Sequence, residues 1–110
     1  MTYGGIIMVK EHKSFVEYKF DTQLLIDIAD KDVDDAEDEL RDYVLNKLVG
    51  DSLVVAGFED EDDEGNPANF LKVHFHTNEP WQVLEYGQSI GDIYDVVVEN
   101  MQRQADGLKG

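Results

Sequence analysis

The sequence predicts one α+β domain whose elements run strand, helix, strand, strand, helix, strand. Three observations predict it. Two stretches alternate apolar and polar residues, two others repeat apolar residues at helical spacing, and 110 residues leave room for a single core. That order is the ferredoxin-like split βαβ pattern (βαββαβ), a four-stranded sheet with two helices on one face.

Residues 1–14 show no clean period, and Gly4-Gly5 loosens them, so a flexible leading segment is expected there. From Phe15 to Ile28 the chain alternates. Val16, Tyr18, Phe20, Thr22, Leu24, Ile26 and Ile28 share one side, whereas Phe15, Glu17, Lys19, Asp21, Gln23, Leu25 and Asp27 share the other. Period two over this length is a strand with one buried face. After an acidic turn, Ala36, Leu40, Tyr43, Val44 and Leu48 recur at helical spacing and predict a helix over 36–49. Asp34 or Asp35 is its expected cap, and Gly50 its C-terminal breaker.

The Val-rich run Leu53 to Phe58 predicts the second strand. Glu59 to Asn69, too acidic and too rich in turn residues to pack, is a loop. The acids Glu59 to Glu64 lack the calcium-loop ligand spacing and read as a solvated face. Phe70 to Thr77 alternates again, with Leu71, Val73 and Phe75 opposite Lys72, His74 and His76. Pro80 stands at the start of a second helix, whose apolar stripe is Trp81, Val83, Leu84 and Ile90. Ile93 to Val98 is the last strand. The domain proper is therefore expected over 15–104, with 105–110 a frayed tail.

Charge narrows the partners. Twenty-five acidic side chains against nine Lys and Arg give a net charge of −16, which repels phosphate backbones and anionic lipid. Nucleic acid and membrane surfaces are not expected partners, and no stretch is long or apolar enough for a membrane helix. There is no cysteine, hence neither a disulfide framework nor a thiolate metal site. A cytoplasmic protein is expected. Phosphate-binding glycine loops and nucleophile elbows are missing as well, so no catalytic site is expected and the chain should not be active alone.

One constellation carries chemistry. His74 and His76, two apart on a strand, project from one face, opposite the apolar Val73 and Phe75. In a split βαβ sheet the first and third strands are the central neighbours, and Asp21 lies on the polar side of the first. Two imidazoles and a carboxylate on adjacent strands form a candidate divalent metal site with a position left open. Glu17, Lys19, Gln23 and Lys72 share that face and are candidate interface residues, and either lysine would compete by pairing with Asp21.

Three segments carry a family resemblance. Gly50-Asp51-Ser52-Leu53-Val54-Val55-Ala56-Gly57 is similar to a "GDSLVV-G" strand. Leu71 to Pro80, followed by Val83-Leu84-Glu85-Tyr86, is similar to a "KVH-HTN-P…VLEY" segment, and Val98 to Gln104 to a closing "IENM-R-Q". In order and spacing, over Tyr18 to Gln104, they resemble the middle domain of the ATP-binding subunit of bacterial fatty acid kinase, related to dihydroxyacetone kinase.

The resemblance implies a zinc-binding, dimer-forming module within a longer polypeptide that also has nucleotide and C-terminal domains. With a fatty-acid-binding partner subunit, the whole makes acyl phosphate from ATP and fatty acid. The implied zinc ligands are a first-strand cysteine and two strand histidines, which carry over as His74 and His76. Where the family has "YCTE", this chain has Phe20-Asp21-Thr22-Gln23, so Asp21 replaces the thiolate and a weaker, less selective zinc site is expected. The expected function is a non-catalytic homodimerisation and interaction module. The alternative is that His74 or His76 assists phosphoryl transfer directly in the assembled kinase.

Overall fold

The structure, a computed structural model, describes residues 14–110. The leading segment expected to be flexible lies, apart from Ser14, outside the described residues. The elements are β1 (Phe20–Ala29), α1 (Val33–Lys47), β2 (Gly50–Phe58), β3 (Asn69–Thr77), α2 (Pro80–Ile90) and β4 (Asp92–Asn100), followed by a short α3 (Met101–Ala105). The strands form one antiparallel sheet in the order β2-β3-β1-β4. This is the ferredoxin-like α+β fold, with β1 and β3 as its central pair.

Alternation decides which face is buried. Leu24, Ile26 and Ile28 of β1, Val55 of β2, and Leu71, Val73 and Phe75 of β3 form the core with Ala36, Leu40 and Val44 of α1 and Val83 of α2. Tyr43 and Tyr86 stack across the two helices, with ring centroids 3.9 Å apart. Trp81 does not join the stripe expected of it and is 60% exposed. The buried positions of α2 are Pro80, Val83 and Gly87, and this three-then-four spacing turns Trp81 off the inner face.

Helix α1 starts earlier than the spacing predicts. Asp32 is the cap, its carboxylate accepting from the Asp35 amide at 3.0 Å, while Asp34 and Asp35 sit in the first turn where the helix dipole favours them. Nor does Gly50 end the helix; Leu48 does, and Gly50 opens β2. A Cβ on Gly50 would lie 2.2 Å from the His76 carbonyl oxygen and 2.4 Å from the Phe75 ring, so close strand approach demands the glycine.

The first strand begins at Phe20, not Phe15. Two amide side chains hold the preceding residues in place of a neighbouring strand. Asn78 accepts from the Lys19 amide at 2.9 Å and donates to the Glu17 carbonyl at 3.0 Å. Gln102 accepts from the Val16 amide at 2.8 Å and donates to the Ser14 carbonyl at 2.7 Å. At the other end, residues 105–110 turn back at Gly107 (φ 78°), and Arg103 donates to the Lys109 carbonyl at 2.7 Å. Among the described residues no helix is long and apolar enough to cross a membrane.

Candidate metal centre on the open sheet face

Both long helices pack on one side, and among the described residues no element covers the other face of the sheet. Pairing across β1 and β3 sets Asp21 opposite His76 and Gln23 opposite His74, so these four side chains share the open face. Asp21 Oδ1 lies 3.1 Å from His74 Nε2 and 4.0 Å from His76 Nε2. One ligand atom from each of Asp21, His74 and His76 falls within 4.8 Å of the other two. All three side chains are part-buried, and the two imidazoles meet edge to face with centroids 4.7 Å apart. Gln23 donates to the Asp21 carboxylate, its Nε2 lying 3.4 Å from each oxygen.

The donor set suits a divalent ion. Zinc bonds of about 2.0–2.1 Å in tetrahedral geometry put neighbouring ligand atoms about 3.3 Å apart. The His74–Asp21 separation is close to that value, and the His76–Asp21 separation exceeds it by less than 1 Å. Neither lysine occupies the carboxylate among the described contacts. Lys19 Nζ lies 5.2 Å from the Phe20 ring centroid, and Lys72 is exposed opposite Leu25 and Ala56.

The four candidate interface residues divide. Gln23 and Lys72 belong to the open face. Glu17 and Lys19 precede β1 in the segment that Asn78 clamps, beside α3, whose Met101 amide donates to the Lys19 carbonyl at 2.7 Å. Further along the face the surface turns apolar. Leu25, Phe58, Phe70 and Val97, with Gln23 and Lys72, line a shallow cavity of ≈ 400 Å³, and Phe58 stacks on Phe70 at 5.0 Å.

Sequence reasoning missed two groups at the metal end. Asp51 Oδ1 lies 3.5 Å from His76 Nδ1, and the Ser52 carbonyl lies 3.1 Å from His74 Nδ1. Alternation could not locate them, because β2 is irregular between Asp51 and Val54. The acidic loop holds itself by a turn: Asp62 accepts from the Glu64 and Asn66 amides, each at 2.9 Å. The Asn66 backbone N–H is the main cause holding the Asp62 carboxyl below its ordinary value of 3.8.

Comparison with known proteins adds the lineage. A family model for the FakA-like middle domain of fatty acid kinase matches residues 17–108. An uncharacterised protein of Staphylococcus epidermidis is 33% identical over 93% of this chain and 16% of that protein. Uncharacterised proteins of Staphylococcus haemolyticus and Staphylococcus aureus are similar at 33% and 31% identity, each again over 93% of this chain and 16% of its own length. The chain therefore spans about a sixth of the length of the curated relatives it matches.

Proposed function

The chain belongs to the FakA-like middle-domain family of fatty acid kinases, and we propose that it serves as a non-catalytic interaction module that pairs two copies and holds a divalent metal. The observation that carries this reading is the convergence of Asp21, His74 and His76 on the sheet face that no helix covers among the described residues. Those three residues would hold the ion, neutral imidazole and carboxylate both being zinc ligands near neutral pH. A bound ion would supply positive charge and a cross-link between β1 and β3. Beside it, Leu25, Phe58, Phe70 and Val97 offer apolar area for a second copy. Within a full-length cytoplasmic kinase, the module would orient a nucleotide domain toward a fatty-acid-binding subunit.

Two measurements test it. Calorimetric titration of zinc into the chain should show one specific site that His74→Ala and Asp21→Ala each remove. Light scattering of wild type and Phe58→Glu should show a dimer for the first and a monomer for the second. Equal zinc binding by wild type and both metal-site variants places the ions on the acidic surface and removes the site. Incubated with ATP, magnesium and fatty acid, the chain alone should give no acyl phosphate. The alternative, direct assistance to phosphoryl transfer, requires histidine variants that keep dimer and fold yet abolish turnover in the assembled kinase.

A further inference from the structure

The second strand carries an oddity that the fold alone does not need. Between Asp51, opposite His76, and Val54, opposite His74, the β2–β3 register slips. Two residues of β2, Ser52 and Leu53, thus answer one residue of β3, which is a β-bulge. Ser52 takes φ 57° there, a left-handed conformation that is strained for a non-glycine residue. Strain of this kind persists only where its surroundings hold it.

What the bulge positions is specific. It sets the Ser52 carbonyl 3.1 Å from His74 Nδ1 and the Asp51 carboxylate 3.5 Å from His76 Nδ1. Both oxygens are acceptors only, so each favours a proton on the Nδ1 it faces. A neutral imidazole carries one N–H, and a proton on Nδ1 leaves the Nε2 lone pair free. Both Nε2 atoms point toward Asp21 Oδ1. His74 meets an acceptor at 3.1 Å on each ring nitrogen, so its Nδ1–H form is favoured once a cation lies between Nε2 and Asp21, whereas for His76 the nearer acceptor is Asp51, on Nδ1.

We propose that the Asp51-Ser52 bulge is the orienting device of the metal centre: it holds His76 as the Nδ1–H tautomer, accepts the Nδ1 proton of His74 once an ion is bound, and presents both Nε2 atoms to that ion. Asp51 is a positioning residue, not a ligand, since it meets His76 on the ring nitrogen turned away from Asp21. This proposal rests on the metal reading for its purpose but not for its test, because the His76 tautomer is observable without metal.

The test uses the 110-residue chain in three forms: wild type, Asp51→Ala and Asp51→Asn. Long-range proton–nitrogen NMR of the metal-free chain at pH 8 reads which ring nitrogen is protonated. Wild type should show Nδ1–H at His76, and addition of zinc should place the His74 proton on Nδ1 as well. Asp51→Ala should scramble His76 while leaving His74 as in wild type, and Asp51→Asn, whose amide oxygen still accepts, should restore it. Zinc competition against a chromophoric chelator should then show about 10–100-fold weaker binding for Asp51→Ala and near-normal binding for Asp51→Asn. Protonation of His76 on Nε2 in metal-free wild type overturns the proposal, as does Asp51→Ala with an unchanged His76 tautomer. The expected His76 tautomer in a chain that binds no zinc through His74 and His76 sinks the metal reading instead, leaving the orienting contact established.

Discussion

Leu24 and Leu25 are adjacent on β1, yet the sheet assigns them to different environments. Leu24 is 1% exposed under the helices, whereas Leu25 borders the shallow apolar cavity on the uncovered face. The covered face carries the close-packed layer. The other face combines a polar end, built from Asp21, His74 and His76, with an apolar end around Phe58 and Phe70. A sheet that needed only to fold would place polar residues across its solvent side. Under the proposed function, large apolar groups left there serve recognition, and the two faces would divide stability from assembly.

The largest expected effect tests that division directly. Leu24→Ala should lose about 2–5 kcal/mol in urea denaturation, since it leaves a cavity in a core that cannot collapse around it. Leu25→Ala in dilute solution should lose less than about 1 kcal/mol, with the gap narrowing as concentration rises and a second copy covers the face. Equal losses in dilute solution would mean that the open face is part of the folding core, ending the comparison.

Next in size is the junction between the faces. Gly50→Ala drives a Cβ into the His76 backbone, so the start of β2 must move away from β3. We expect a loss of about 1–3 kcal/mol, the usual range for overpacking. Zinc affinity should fall as well, because Asp51 and Ser52 travel with Gly50. A variant that loses stability but keeps wild-type zinc affinity would separate β2 from the metal centre.

Much of this was legible in the sequence, and the failures share a physical cause. Alternation located the faces of β1 and β3 because a pleated strand must alternate, and it grouped Asp21 with His74 and His76 once the strand order was known. It overran at Val16 and Lys19, where the chain is held by the side chains of Asn78 and Gln102, 59 to 86 residues away in sequence. Contacts of that range leave no local period. The Asp51-Ser52 bulge was invisible for the converse reason: it breaks the very period by which strands are read. The capping role of Asp32, two residues before the expected Asp34, and the exposure of Trp81 were matters of helix ends and phase, which spacing resolves poorly.

A smaller effect, of opposite sign, sharpens the covered face. Thr22 is fully buried opposite Phe75 and Val98, and its hydroxyl has no hydrogen-bond partner among the described residues. An unpaired buried hydroxyl costs about 1–3 kcal/mol, and an apolar group of the same shape removes that cost. Thr22→Val should therefore stabilise the chain by about 1 kcal/mol, read as a higher urea midpoint. Destabilisation of similar size would show a hidden partner, a bound water or a strand displaced from this register.

The smallest effect belongs to neither face. The loop joining β2 to β3 is organised around Asp62, whose carboxylate accepts from the Glu64 and Asn66 amides and, at 3.3 Å, from the Asn66 side chain. These bonds favour the ionised form, so the folded pKa lies below the ordinary 3.8, with the Asn66 backbone bond the largest cause. The folded loop then binds fewer protons than the open one, and the contribution is complete above the ordinary carboxylate range. It is lost as pH falls through the depressed folded value. An NMR titration should place the Asp62 midpoint below the ordinary 3.8, with the Asn66 amide resonance moving in step. Asp62→Ala should loosen residues 62–66 at pH 7, a difference from wild type that closes at strongly acidic pH. Because the loop lies outside both faces, the same variant should leave the urea midpoint of the core and the zinc affinity nearly unchanged. A global loss approaching that of Leu24→Ala would mean that the loop holds the β2–β3 register, and with it the bulge beneath the histidines.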